Sequence, residues 1–505
     1  MAKDLISDAE GLAARTSRGF AWMLAQTLGS KLAGLASQVF LARLLLPRDY
    51  GLIAICYVAT SLPTVLRQTG VPQILVQKGE RLDRWANAAF WMELAMGLLT
   101  MVVVLAAAPL AAWAYHAPTL AGLMAVISVS APLGALCTVP GAKLNRDLRF
   151  RELAVLGTGY NILAATLGVA CAFLGLGAYS FVVPLPICTA LRALALWRLA
   201  PVRLRWNVQF HRWRAMAGDS GHLMVGGLCF LVQVQADNLA LSIWHSKATV
   251  GRYFFANNLS GQILQILALN MGSVLFPVLS KLRGDWPRQV AGFFRAARAM
   301  ALVGIPVCVA EAVLARPAIV VVFGAKWLPA APVLQVAALA AAVNLAGAPS
   351  ASLIQAQGRF RLGMVWSLVS AGLFTGLVFA GADLGGPVLV AMGGLACAIL
   401  VMPARTLSAT RLGGGKLGSV AGIFGPPLLL SAVALAPAGL LELFVPWFGG
   451  HPVDLLALAV ITAPLIYFPL AWWFCPEGVA ELLRHAGPVA RLVHRAGLGK
   501  RDGGR

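Results

Sequence analysis

The chain has 505 residues, of which 59% are apolar and only 12% are charged, and its formal net charge is +21. A soluble protein carries about 25% charged residues, so this composition excludes a soluble globular protein. The basic residues lie between long apolar runs and form no basic domain with interleaved aromatic residues, which argues against nucleic-acid binding.

Fourteen apolar stretches are each long enough to cross about 30 Å of hydrocarbon as a helix. Residues 1–18 contain acidic side chains and are predicted to be a cytoplasmic segment rather than a signal peptide. The predicted spans cover residues 19–45, 50–77, 85–111, 119–141, 152–175, 178–200, 217–244, 249–279, 297–323, 330–356, 361–381, 386–410, 418–441 and 453–474.

These spans predict an all-α integral membrane protein with about 14 transmembrane helices. The helices divide into two pseudo-symmetric six-helix lobes, over residues 19–200 and 217–411, and two C-terminal helices. A basic cytoplasmic linker over residues 201–216 joins the lobes. The two extra helices occupy residues 412–475, and a basic cytoplasmic tail occupies residues 476–505.

The distribution of basic residues predicts the orientation of the chain. Of the 40 Lys and Arg residues, 31 lie in the termini, in the even-numbered loops or toward the span ends beside them, and six lie in or beside the odd-numbered loops. Cytoplasmic loops carry an excess of basic residues, so both termini are predicted to be cytoplasmic. The remaining three basic residues, Lys31, Arg67 and Arg192, lie within spans.

A weak sequence similarity between the first and seventh spans indicates an internal repeat. The first span runs into LARLLLPRDYGLIAICYV, which contains Gly51, and the seventh runs into LALSIWHSKATVGRYFFANNL, which contains Gly251. Tandem repeats of this kind are common in transporters, where the substrate path lies between the two halves.

Two cations within the first lobe are candidates for the substrate path, because a charged side chain in hydrocarbon is costly. Lys31 lies seven residues before Gln38, so both point to one side of the first span. The pair indicates a water-filled lumen, although an ion pair of Lys31 with an acidic residue would also explain it. Arg67 precedes a helix break at Gly70 and Pro72, which supports a functional and a structural role equally.

Polar side chains on the seventh and eighth spans are candidates for contacts with sugar hydroxyls. The alternative is hydrogen bonding that simply joins the helices, worth about 0.6–2 kcal/mol per bond. Two acidic residues are candidates for ion coupling: Glu311, which could instead partner Arg316, and Glu93, the deep carboxylate of the first lobe. The polar path candidates are Gln38, Gln233, Asp237, Asn238, Asn258 and Gln262.

Signals for catalysis are poor. The seven histidines show no metal-ligand spacing, no phosphate-binding loop occurs, and the eight cysteines are scattered through the apolar runs. We therefore predict a protein that is not an enzyme and that has no cofactor and no metal.

Several segments together resemble the polysaccharide-transporter family, the Wzx-like and colanic-acid-exporter-like branch of the MOP flippase superfamily. They run in order from the first helix to the eleventh, and they are ARLLLPRDYGLIA, QTGVPQILVQ, KLNRDLRFRELAV, QADNLALSIW with VGRYFFANNLS, LFPVLSKLRGD, VFGAKWLPAAPVLQVAAL and IQAQGRFR.

The resemblance implies flipping of an undecaprenyl-diphosphate-linked oligosaccharide across the bacterial inner membrane, by alternating access and with cation coupling. It implies a cationic cavity, a role that Lys31 and Arg67 fit. Implied partners are the lipid-linked substrate, membrane lipids, a polysaccharide polymerase and export machinery. The chain departs from the family in having no acidic residue near Gln68, Thr69 and Gly70, which puts an ion-coupling role there in doubt.

Three alternatives stay open at this point. A drug or cation antiporter of the same superfamily would need acidic residues in the first lobe, where Glu93 is the deep one. A flippase for the peptidoglycan precursor is the second alternative. A membrane-embedded polysaccharide polymerase or ligase would need a large outer loop, and the predicted outer loops are short.

Overall fold

In a computed structural model, the protein is described over residues 29–65 and 82–479, with gaps at 32, 148, 203, 283, 446–450 and 477. These described residues are almost entirely helical and contain no β-strand, which confirms the predicted all-α class. The chain divides into two compact units, Met1–Phe254 and Phe255–Arg505.

Most described helices of the first unit follow one another through connections of one to five residues. Proline stands at the first position of several of them, where its fixed φ favours the helix and its missing N–H costs nothing. The helices are α1 (residues 29–44), α2 (Pro47–Val65), α3 (Leu82–Ala114), α4 (Pro118–Ser128), α5 (Ser130–Arg146), α6 (Phe150–Phe173), the single turn α7 (Tyr179–Val182), α8 (Pro184–Leu199) and α9 (Phe210–Trp244).

Helix α10 (Lys247–Lys281) begins in the first unit and continues into the second. The carboxylate of Asp285 then caps the next helix by accepting a hydrogen bond from the backbone N of Arg288 at 3.1 Å. The further helices are α11 (Trp286–Val313), the turn α12 (Ala315–Ala318), α13 (Ala331–Gly347), α14 (Pro349–Ala356), α15 (Phe360–Leu384), α16 (Pro387–Thr410), α17 (Leu417–Phe444) and α18 (Pro452–Phe474).

Short turns of other helical types complete the second unit. A π-helical turn (Ile319–Phe323) and a 3-10 turn (Ala325–Ala330) link α12 to α13, and a second 3-10 turn (Arg411–Gly413) follows α16. Gly324, between the first two turns, has φ +99°, a conformation that glycine adopts without a Cβ clash. The chain can therefore change direction there and enter the 3-10 turn that leads into α13.

Ten segments of the described residues are long and apolar enough to cross a membrane, so the chain is a multi-pass membrane protein. They overlap ten of the fourteen predicted spans, the third to sixth and the ninth to fourteenth. The ninth was predicted too far along the chain, at 297–323, because its helix begins at Trp286 and ends at Val313. The first two of the other four fall on α1 and α2, which border residues outside the described part, and the seventh and eighth fall on α9 and α10, where part of the side chains is not described; all four stay predictions. The ten are Trp85–Ala114, Pro118–Arg146, Phe150–Phe173, Tyr179–Leu199, Trp286–Val313, Ala325–Ala356, Phe360–Leu384, Pro387–Gly413, Leu417–Glu442 and Pro452–Phe474.

Each unit contains the same order of helix packing. In the first unit α3 packs on α5, α5 on α8 and α8 on α6; in the second α11 packs on α13, α13 on α16 and α16 on α15. The corresponding helices α6 and α15 are peripheral. In the most apolar 18-residue stretch of each helix, 11% of the residues of α6 and 17% of those of α15 are buried, against 50% for α11. Their exposed apolar side chains suit contact with lipid.

Candidate substrate-path residues

The two similar sequence segments that contain Gly51 and Gly251 contact each other in the first unit. Gly51 and Gly251 are each the fifth residue of their helix, α2 and α10. A methyl group on Gly51 would overlap the carbonyl oxygen of Lys247, and one on Gly251 would overlap that of Pro47 and lie 2.6 Å from the Gly51 amide nitrogen. Glycine at both positions therefore allows the two helix starts to meet backbone to backbone.

Asp237 of α9 is buried, with 2% of its surface exposed. Its Oδ2 atom accepts a hydrogen bond from the Tyr253 hydroxyl on α10 at 3.1 Å, so the carboxylate joins the two helices. Asn238 is also buried, and its Oδ1 atom has no hydrogen-bond partner among the described residues. Gln233, one turn before Asp237, is half-buried.

The carboxylate of Glu93 joins α3 to α5. Its residue is 3% exposed, and its Oε2 atom accepts a hydrogen bond from the Thr138 hydroxyl at 3.3 Å. A hydroxyl donor therefore meets a buried carboxylate here, as Tyr253 meets Asp237. Hydrogen bonds to charged groups contribute about 1.5–3 kcal/mol, which makes such contacts useful between packed helices.

Helix α1 carries Lys31 and Gln38, and both are half-buried. The helix lies against α6, because the Asn161 amide donates to the Ser30 hydroxyl at 3.0 Å and the Ser37 hydroxyl donates to the Ala165 carbonyl at 3.4 Å. Arg67, the other predicted cation of the path, lies outside the described residues.

Arg192, the third basic residue within a span, lies beside α6. Its guanidinium carbon is 5.7 Å from the centre of the Tyr160 ring, and its buried Nε atom donates no hydrogen bond to a described residue. Attraction between the cation and the ring face contributes about 0.5–2 kcal/mol. The charge is therefore held against a neighbouring helix of the first unit.

The remaining predicted residues belong to the second unit. Asn258 is exposed and Gln262 is half-buried on α10. Glu311 is half-buried on α11, and its Oε2 atom is buried with no hydrogen-bond partner in the described part of the chain. Glu311 therefore differs from Glu93, whose corresponding oxygen accepts a hydroxyl hydrogen bond.

Sequence reasoning missed Arg405 as an interior group and assigned its charge to a cytoplasmic loop. The side chain lies within the span of α16, where Nε donates to the Ser350 hydroxyl at 2.8 Å and Nη2 donates to the Gly347 carbonyl at 3.2 Å. These acceptors flank the junction of α13 and α14. The cation also lies at the carbonyl end of α13, where the helix dipole favours positive charge.

A second missed feature is a pair of arginines, here called the arginine clasps. Arg149 precedes α6, and its Nη1 atom donates to the Leu199 carbonyl at the end of α8 at 3.0 Å. Arg359 precedes α15, and its Nη1 atom donates to the Ser408 carbonyl near the end of α16 at 3.1 Å.

A neighbouring polar side chain reinforces each arginine clasp. Lys143 donates to the Pro201 carbonyl at 2.9 Å in the first unit, and Gln357 donates to the Ala409 carbonyl at 2.9 Å in the second. Both arginines are followed by phenylalanine, and this Arg-Phe pair ahead of a helix is the signal in the sequence that could have revealed the repeat.

With this geometry in hand, the chain can be compared with known proteins. Residues 40–332, more than half of the chain, match a family described as polysaccharide biosynthesis protein. The chain belongs to this family. It is a membrane-embedded member, since the matched region contains five of the ten helical segments that can cross a membrane and the start of a sixth.

Relatives from three bacteria cover most of this chain. The succinoglycan biosynthesis transport protein ExoT of Rhizobium meliloti (strain 1021) is 24% identical over 72% of this chain and 74% of its own length. The lipopolysaccharide biosynthesis protein WzxC of Escherichia coli (strain K12) is 21% identical over 76% and 79%. The teichuronic acid biosynthesis protein TuaB of Bacillus subtilis (strain 168) is 21% identical over 83% and 87%.

Solved structures show the same fold at low sequence identity. The lipid II flippase MurJ, in an inward closed conformation, matches 90% of this chain and 99% of its own with a TM-score of 0.75 and 15% identity. An inward-facing multidrug resistance MATE family transporter of the MOP superfamily matches 76% and 95% with a TM-score of 0.59 and 14% identity. The fold is therefore that of the MurJ and MATE transporters.

Proposed function

We propose that this protein is a flippase that moves an undecaprenyl-diphosphate-linked oligosaccharide from the cytoplasmic to the outer leaflet of the bacterial inner membrane. The transported unit serves the synthesis of exopolysaccharide, capsule or O-antigen. The observation that carries this proposal is membership of the polysaccharide biosynthesis family, through relatives that are named for transport or synthesis of three different polysaccharides.

The proposed architecture comprises fourteen transmembrane helices in two six-helix lobes, two C-terminal helices and cytoplasmic termini. The asymmetric distribution of basic residues supports the orientation. The repeated packing order and the two arginine clasps support an internal duplication. Such duplications suit alternating access, in which one repeat moves against the other around a substrate site.

We propose that different groups of side chains contact the diphosphate and the sugars of the substrate. Lys31 and Arg67 attract the diphosphate, because positive charge in a cavity concentrates anions. The polar residues Gln38, Gln233, Asp237, Asn238, Asn258 and Gln262 meet the sugar hydroxyls. The lipid tail stays in the bilayer, and membrane lipids, a polymerase and export machinery are the partners.

Ion coupling is assigned to an acidic residue, for which Glu311 and Glu93 are the candidates. Glu311 is the better of the two because its buried oxygen has no hydrogen-bond donor among the described residues, whereas Glu93 has Thr138. A cation or a proton can therefore occupy Glu311 without displacing an existing partner.

The test is a strain that lacks the gene. Lipid-linked repeat units should accumulate in the cytoplasmic leaflet, and the intact gene should clear them. A variant with both Lys31→Glu and Arg67→Glu should fail to clear them, while Arg411→Glu, which reverses an exposed charge, should succeed. Unchanged lipid-linked pools with a loss of drug resistance would instead support an antiporter.

A further inference from the structure

A cavity of about 1000 Å³ lies in the second unit, among α12, α13, α17, α18 and the turn that precedes α13. Most of its wall is apolar, with Val320, Leu328 and Leu455 as examples. The polar side chains on the wall are Arg316, Gln335 and Glu442. None of these three belongs to the proposed path for the oligosaccharide.

The cavity lies at the depth of lipid headgroups. Its wall contains Val313 and Glu442, which end two membrane spans, and Ala325 and Pro452, which begin two others. The ends of membrane spans lie at the boundary between hydrocarbon and water. An apolar cavity at this depth therefore suits the part of a lipid where the headgroup joins the acyl chains.

Two opposite charges, Arg316 and Glu442, line this cavity. Arg316 of α12 is close enough to Glu442 of α17 to interact electrostatically, yet the two form no ion pair in the described part of the chain. A guanidinium has a planar fork of donors that matches phosphate oxygens, and a carboxylate accepts hydrogen bonds from an ammonium group. A ligand that carries both charges a few bonds apart would satisfy both side chains.

We propose that this cavity binds a zwitterionic phospholipid with a primary amine, the chemistry of phosphatidylethanolamine. The phosphate accepts hydrogen bonds from Arg316, the ammonium group donates to Glu442, and the amide of Gln335 donates to an ester or phosphate oxygen. The first part of an acyl chain lies along the apolar wall. An anionic lipid, including a lipid diphosphate, fits less well because Glu442 repels its charge.

The test measures which lipids stay bound to the purified full-length protein. The protein is reconstituted in nanodiscs with equal amounts of phosphatidylethanolamine, phosphatidylcholine and phosphatidylglycerol, extracted in mild detergent, and examined by native mass spectrometry. Phosphatidylethanolamine should be retained in preference to the other two. Arg316→Gln and Glu442→Gln should each lower its retention about tenfold, the size expected for loss of a charge-assisted hydrogen bond. Arg411→Gln should leave retention unchanged.

A second variant keeps the proposal testable if Arg316→Gln does not fold. Glu442→Lys places two cations at the cavity and should shift the preference to phosphatidylglycerol. Equal retention of the three lipids by the unaltered protein would overturn the proposal, as would a preference that Glu442→Gln and Glu442→Lys leave unchanged. Neither result would bear on the proposed oligosaccharide flippase activity, which is tested by the amount of lipid-linked repeat units in the strain that lacks the gene.

Discussion

In the first unit, the buried carboxylates of Asp237 and Glu93 each accept a hydrogen bond from a hydroxyl group of a neighbouring helix. In the second unit, a buried oxygen of Glu311 has no such donor among the described residues, although the cation Arg405 is bonded at two of its nitrogen atoms. An unsatisfied buried polar atom costs about 1–3 kcal/mol. Hydroxyl donors satisfy an oxygen of each carboxylate in the first unit, whereas the Glu311 oxygen needs a further explanation, for which ion coupling is the candidate.

The largest expected effect is on flipping, and it should differ between Glu311 and Glu93. Glu311→Gln should lower oligosaccharide flipping about tenfold or more, within the range of about 5–150-fold that is typical of coupling between two sites. Glu93→Gln should retain most activity, because its amide can still meet Thr138. The measurement is the rate at which lipid-linked oligosaccharide leaves the cytoplasmic leaflet. If Glu93→Gln were the more damaging change, the assignment of coupling to the second unit would be wrong.

The glycine contact in the first unit predicts the next largest effect. Gly51→Ala and Gly251→Ala should each destabilise the protein by about 1–3 kcal/mol, because an added methyl overlaps the backbone of the other helix. The measurement is the thermal midpoint of the purified protein in detergent. Gly159→Ala is the matched control, since a methyl there meets no atom within 4 Å and should be neutral or slightly stabilising. Equal midpoints for all three variants would contradict the close approach.

In the second unit, the Arg405 contacts at the junction of α13 and α14 provide a corresponding test of stability. Arg405→Gln should destabilise the protein by about 1.5–3 kcal/mol, because it removes charge-assisted hydrogen bonds to Ser350 and Gly347. Arg411→Gln changes an exposed arginine of the same unit and should cost much less. Denaturant midpoints measure the difference. A cost at position 405 no greater than at 411 would show that the junction does not depend on the arginine.

The arginine clasps predict the smallest effect and test whether the two units are built alike. Arg149→Gln and Arg359→Gln should each destabilise the protein by about 1 kcal/mol, the usual contribution of one hydrogen bond. Arg149 also forms an ion pair with Glu152, which adds little because both side chains are partly exposed. The double variant should be additive because the two clasps share no partner. Arg361→Gln, an exposed change two residues from the second clasp, is the control. A large cost in only one unit would argue against equivalent roles.

Much of the fold is visible in the sequence because hydropathy is a local property. Ten predicted spans coincide with helices that can cross a membrane, and the family was recognisable from short segments. The partners of buried polar residues were not visible. Asp237 and Tyr253 are 16 positions apart, and Arg405 and Ser350 are 55 positions apart, on helices whose contact depends on packing along their whole length.

The assignment of Arg405 shows the physical limit of counting charges. Basic residues near the end of a span usually favour the cytoplasmic side, so the count assigned the charge of Arg405 to that side although position 405 lies inside the predicted span 386–410. Helix α16 ends at Thr410, where the predicted span ends, and packing places the Arg405 side chain beside the α13 and α14 junction, where it bonds to Ser350 and Gly347. The two charged residues at the lipid cavity, Arg316 and Glu442, were equally hidden because they are distant in sequence and meet only after folding.

Flipping by the purified protein tests the central claim most directly. The protein is reconstituted in vesicles that contain a labelled undecaprenyl-diphosphate oligosaccharide in one leaflet, and the appearance of the sugar in the other leaflet is followed with an impermeant lectin or oxidant. The account predicts transfer that depends on the protein and that is lost in the variant with Lys31→Glu and Arg67→Glu, with Arg411→Glu as the active control. Transfer no faster than in empty vesicles, under a proton or cation gradient of either direction, would contradict it.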